Sequence, residues 1–100
     1  MAQSKEIIIS EIKAYIQNCG GVYSDWYVGI ASDPQKRLFN DHNVDRENGT
    51  WIYNMAESSG TAREIEDYFI NILGTDGGPG GGDNTTKSVY AYKKTNYTVQ

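Results

Sequence analysis

The sequence predicts an α+β fold: a small, mostly antiparallel three-stranded sheet flanked by helices. Three observations predict it. Apolar residues recur at helical spacing in Ile8, Ile12, Tyr15 and Ile16, and again between 61 and 73. Three short runs, Trp26 to Ile30, Trp51 to Met55 and Val89 to Tyr92, are rich in aromatic and β-branched residues. Gly, Asn, Asp and Ser cluster between these segments. One hundred residues make one domain of modest core, 1–100, with no internal repeat and no linker long enough to divide it.

Taken in order, Ser4 can cap a helix over about 5–18 that Gly20-Gly21 ends, although Ile7-Ile8-Ile9 leaves a strand open at its start. Trp26 to Ile30 is too short for a helix and reads as a strand. Ser32-Asp33-Pro34 then supplies a cap and a proline at the first position of a helix running to about His42. Polar residues 45–49 form a loop before the strand Trp51 to Met55. Ser58-Ser59-Gly60 breaks the chain, and Thr61-Ala62-Arg63-Glu64 reads as a capping box opening a helix to Leu73, with Gly74 past its end. Residues 76–84 hold five of the eleven glycines and form a connector to the last strand.

The net charge of -4 and pI of about 4.8 argue against a general nucleic-acid coating protein, whose affinity grows with the number of phosphates neutralised. Local binding remains open, because Lys36-Arg37 is a basic pair and Lys87, Lys93 and Lys94 could share its face. Lone Cys19 excludes an internal disulfide. No apolar segment reads as a signal peptide or membrane span, so a cytoplasmic location and no membrane partner are expected.

The chemistry concentrates in Trp26 to Leu38. Tyr27 and Arg37 are ten positions apart, one on a strand and one in the first turns of the next helix, so both can reach the strand's C-terminal edge. A phosphodiester fits there, with the guanidinium forking onto its oxygens and the phenol reaching the nucleophile or leaving group. Tyr27 equally suits a half-buried packing role. On a wheel of about 100° per residue, Glu66 falls between Leu73 and Ile70 on the apolar side of its helix, while Glu64 and Asp67 face solvent. A carboxylate at a buried edge needs a cation, an arginine or an escape to solvent. His42, the only histidine, reads as a helix-end cap, a surface residue or a group that orients a nucleophile. The run Gly77 to Gly82 suggests a phosphate cradle but matches neither the dinucleotide fingerprint nor the P-loop, since a strand follows it.

Tyr27-Val28-Gly29 followed by Arg37 resembles the second half-motif of the GIY-YIG nuclease family, and His42 and Glu66 follow in family order. The resemblance runs from Tyr27 onward and leaves out the N-terminal helix, about 1–20. It implies a divalent-metal-dependent endonuclease acting on DNA. Tyr27 or a partner tyrosine would help deprotonate water, Arg37 would stabilise charge on the phosphate, His42 would orient the attacking group and Glu66 would hold Mg2+ or Mn2+. Gly29 and Lys36 would meet the substrate, and Asn84 would stand for the family's site-closing asparagine. The first half-motif departs from the pattern. Gly21-Val22-Tyr23 resembles it, but only three residues separate it from Tyr27, too few for two paired arms and a turn. The alternation of Ser88 to Lys93 suits the missing strand, which would then pair beside Trp26 to Ile30 with Tyr90 or Tyr92 as the first tyrosine. The alternative function is a catalytically inert module of this type that binds nucleic acid or a protein partner.

Overall fold

The computed structural model describes residues 2–78 and 84–100. The elements are α1 (Lys5–Asn18), β1 (Trp26–Ala31), α2 (Lys36–Asp41), β2 (Trp51–Met55), α3 (Ser59–Asp67), with a wider helical continuation (Tyr68–Leu73), and β3 (Ser88–Lys93). The α+β architecture follows the expectation, with all three strands antiparallel in one sheet of order β1-β3-β2. The last strand in sequence is therefore the middle strand in space. It pairs with β1 as its alternation suggested, Tyr92 opposite Tyr27 and Tyr90 opposite Gly29.

Register sorts the side chains into two faces, because paired residues share a side and successive residues alternate. Trp26, Val28, Val89 and Ala91 point one way and meet Ile8, Ile12 and Ile16 of α1 with Ala62, Ile65 and Phe69 of the third helix. Each isoleucine of that α1 stripe is fully buried and contributes about 1.5–3 kcal/mol, so α1 is part of the main core. On the other face Tyr27, Tyr90 and Tyr92 pack with Ala31, Leu38 and Val44. Residue 76 lines the outer edge of β1, accepting from the Val28 amide at 3.0 Å and donating its own to Trp26 at 2.8 Å. Among the described residues, no helix is long and apolar enough to cross a membrane.

Helix starts follow their caps. Ser4 Oγ accepts from the Ile7 amide at 3.3 Å, and Asp33 Oδ1 accepts from Lys36 at 3.1 Å just ahead of Pro34. The third helix differs from expectation: it begins at Ser59, capped by Ser58 Oγ accepting from the Thr61 amide at 3.1 Å. Ser58 has the same three-residue reach to Thr61 that Thr61 has to Glu64, and Gly60 is cheap in a first turn whose amides have no intrahelical partner. That helix also widens from Tyr68 to Leu73, and α2 is π-helical throughout, with the His42 amide reaching back five residues to Arg37 at 2.9 Å. Most of the glycine run read as a connector, residues 79–82, lies outside the described residues.

At Gly29 the sheet requires glycine for space. A Cβ there would stand 2.5 Å from the Tyr90 hydroxyl oxygen and 2.6 Å from its Cζ, because the Tyr90 ring lies across the glycine opposite it. Gly29→Ala is expected to lower stability by about 1–3 kcal/mol, the range for overpacking a filled site. Urea unfolding of Gly29→Ala, Tyr90→Ala and the double variant checks it. Additive losses would show that the two residues do not press on each other.

Candidate functional site

Tyr27, Gly29, Lys36, Arg37, Glu66 and Tyr90 line one cleft of about 390 Å³, together with Asp33, Asp41 and Thr86. The cleft lies at the C-terminal end of β1. Residues at the start of α2 form one wall, and Glu66 reaches in from the third helix. His42 is behind the lining and Asn84 is exposed outside it. Lys87, Lys93 and Lys94 are not in the lining; Lys93 Nζ donates to the Cys19 carbonyl at 3.1 Å and Lys94 Nζ pairs with Asp76 at 3.5 Å.

His42 ends α2 and is only 3 % exposed. Its Nδ1 is 2.6 Å from the Val99 carbonyl, which can only accept, so Nδ1 carries the proton. In the neutral ring Nε2 is then an acceptor, and the Tyr90 hydroxyl, 2.7 Å away, donates to it. The tail holds this arrangement from both sides, because the Val99 amide also donates to the His42 carbonyl at 2.7 Å. The Tyr92 hydroxyl donates to the same Val99 oxygen at 3.3 Å. Burial lowers the His42 pKa below 6.5, outweighing the opposing pull of Val99, so the ring is neutral at physiological pH. Tyr27 stacks against this cluster, 4.6 Å from the His42 ring and 5.2 Å from that of Tyr92.

The phenols are held protonated. Burial pushes Tyr90 up to about 12 and raises Tyr27 and Tyr92, with Arg37 opposing in each case. Arg37 makes a 3.2 Å ion pair with Asp41 and stands beside the Tyr90 hydroxyl, which raises its own pKa further. The backbone at Gly78 passes so near Tyr27 that a Cβ there would sit 2.9 Å from the hydroxyl.

Glu66 is 3 % exposed, and burial, helped by neighbouring Asp67, raises its pKa from 4.5 to about 7 against the pull of Arg63. Among the described residues, its carboxylate makes no hydrogen bond or ion pair. Such a group fits a hard divalent cation, which takes oxygen ligands and keeps several waters, so one protein carboxylate suffices. No cluster of three or more metal-ligating side chains occurs among the described residues.

Sequence reasoning missed the Val99 carbonyl, which fixes the histidine tautomer. A backbone atom 57 positions away leaves no side-chain signal. It also missed Asp41, four residues after Arg37 and so readable as its ion-pair partner.

The raised Glu66 pKa gives a testable pH dependence. Between about 4.5 and about 7 the folded state binds more protons than the unfolded one, so this group's contribution falls as pH rises through 7. Glu66→Gln in chelator is expected to gain stability at pH 8, by about 3 kcal/mol at most, and to lose that gain by pH 4.5. Urea unfolding at the two pH values measures it. A variant that is less stable at pH 8 would mean that a protein cation already neutralises the carboxylate.

Compared with known proteins, the chain matches no family model, no curated protein and no solved structure.

Proposed function

We propose that this protein is a divalent-metal-dependent endonuclease that hydrolyses phosphodiester bonds in DNA, a GIY-YIG-like domain in which β3 stands in the place of the first half-motif strand. The observation that carries the reading is Tyr90 donating to neutral His42 at 2.7 Å in the wall of a cleft that also holds Arg37 and Glu66. With its proton committed to His42, the Tyr90 oxygen keeps lone pairs for a water. That water's proton passes to the phenol oxygen while the phenol's proton passes to His42 Nε2, and the hydroxide left behind attacks phosphorus as the bond to the leaving oxygen breaks. A phenol whose pKa is about 12 suits this relay, because no free phenolate has to form.

The surrounding residues handle the phosphate. Arg37, oriented by Asp41, presents two parallel donors to the charge that grows on the phosphoryl oxygens, and Lys36 adds a point charge beside it. Tyr27 can donate to a phosphate oxygen, and Gly29 leaves room for it. Glu66 would hold the Mg2+ or Mn2+ ion, which when bound supplies Lewis-acid stabilisation of the leaving oxygen. The alternative, an inert binding module, is favoured by one observation: Asp33 and Asp41 put two further carboxylates in the lining of a cleft meant for an anion.

Arg37→Lys separates the two readings, since it keeps the charge and loses the fork. Nicking of supercoiled plasmid in Mg2+ or Mn2+ is expected to fall by a factor on the order of 100 or more, with DNA affinity changed only a few-fold. The wild-type rate should drop on the acid side of pH 6.5, as His42 becomes protonated. Chelator and Glu66→Ala should abolish nicking. A wild-type protein that binds DNA through Arg37 but never nicks it would establish the inert module.

A further inference from the structure

Beside the cleft, on the outer end of the same sheet face, four side chains build a second feature that the proposed chemistry does not use. Trp51 and Tyr53 of β2 stack with rings 6.0 Å apart and only 9° from parallel. Phe39 of α2 meets Trp51 edge-on at 5.0 Å, and the Arg46 guanidinium lies 4.0 Å over the Phe39 ring. Hydrogen bonds pin the group from both ends: Gln35 Nε2 donates to the Tyr53 hydroxyl at 2.7 Å, and the Trp51 indole donates to the Arg46 carbonyl at 3.1 Å. The stack is thus held in place and remains open, with Tyr53 36 % exposed. Phe39 and Trp51 are half-buried against the tyrosine-face core, whereas Tyr53 and Arg46 are exposed, so packing accounts for the inner half of the group and leaves the outer half without a core role.

We propose that this stack is a nucleobase-binding subsite that seats an unpaired base of the single DNA strand whose phosphodiester lies in the cleft. The inference rests on the phosphodiester reading of that cleft and adds the substrate form, single-stranded at this point. Continuity supports it: a hollow of about 350 Å³ lined by Phe39 and Arg46 is also lined by Asp33 and Lys36, both of which line the cleft. Lys36, beside Asp33, therefore stands between the phosphate position and the end of the aromatic group formed by Phe39 and Arg46. The chemistry fits as well. Every base offers a π-face to an aromatic ring or a guanidinium plane, and such stacking needs no base pairing partner and no sequence. Arg46 makes no ion pair among the described residues, although Asp45 and Glu47 flank it in sequence, so its guanidinium stays on the ring and available to a base.

The test uses the whole chain in chelator, where no cleavage occurs, with a short single-stranded oligodeoxynucleotide, an abasic strand of equal length and the matching duplex. Trp26 is fully buried, so quenching of tryptophan emission reports on Trp51. The base-bearing strand should bind on the order of tenfold more tightly than the abasic one, and more tightly than the duplex. Tyr53→Ala and Arg46→Ala, both at exposed positions, should each erase most of that difference, whereas Arg37→Lys should weaken the base-bearing and abasic strands alike. If Arg37→Lys weakens binding but the two stack variants leave the base-dependent difference intact, the subsite is overturned and the cleft reading stands. Equal affinity for single strand and duplex also overturns it. No affinity for any of the three ligands overturns both.

Discussion

The contact on which the rest depends is the Tyr90 ring lying over Gly29. β3 is the middle strand, so Tyr90 is flanked by β1 on one side and β2 on the other, opposite Gly29 and opposite Tyr53. A side chain at 29 would push the ring away from β1; without one, the ring lies flat across the neighbouring strand and its hydroxyl reaches the rear of the cleft. Everything behind that hydroxyl is then determined. His42 must be an acceptor at Nε2, so it must be a donor at Nδ1, so a carbonyl must be within reach, and the tail brings Val99 there.

The electrostatics of the cleft share one cause. Burial raises Glu66 toward neutrality and lowers His42 from 6.5, so near neutral pH both are uncharged or close to it while Arg37 remains fully cationic. On the proposed reading a proton and a divalent cation compete for the Glu66 carboxylate, and the winner sets the charge facing a phosphate. With a proton there, Arg37 and Lys36 oppose Asp33 and Asp41 at a net charge near zero. With a cation there, the balance turns positive. On that reading the difference would link an anionic ligand to metal in the same site by mutual stabilisation, without any change of shape.

Much of this could be read from the chain because the signals were local. Ser4 and Asp33-Pro34 announce their helices, and strand and helix positions bring Tyr27 and Arg37 to one strand edge, while the wheel puts Glu66 only on the apolar side of its helix and the family resemblance adds it to the site. The pairing of β3 with β1 was also legible, from an argument about length: three residues after Tyr23 leave no room for a hairpin arm, so the partner of β1 had to come from elsewhere; its second pairing, with β2, left no such signal. The losses have physical reasons. Two overlapping cap signals, Ser58 and Thr61, compete before the third helix, and the earlier one wins. The π-helical turns carry no mark in residue type. Asn84 was placed by order alone, and order does not constrain which side of a glycine-rich connector faces the site. The histidine's role was hidden, since it acts through Tyr90 and its orienting partner is a main-chain oxygen.

An acidic chain that meets a nucleic acid has to divide the work differently from a basic one. Proteins that coat DNA neutralise many phosphates and draw their affinity from released counterions, which makes them strongly salt-dependent. This molecule offers the cleft two cations, Arg37 and Lys36, against a net charge of -4. On the proposed reading the electrostatic contribution is then confined to about two phosphates, and the slope of log affinity against log salt should be shallow, about -1.4 for a single strand. Affinity must come from contacts that salt does not screen. An open, pre-stacked aromatic group next to the cleft is such a contact, because stacking depends on shape and dispersion and survives both ionic strength and the repulsion of the acidic surface. On the same reading the acidic balance acts as a filter, disfavouring long relaxed duplexes, whose many phosphates meet the whole surface, and sparing a short unpaired segment, such as supercoiling opens in a plasmid, that meets only the corner between Arg37 and Tyr53.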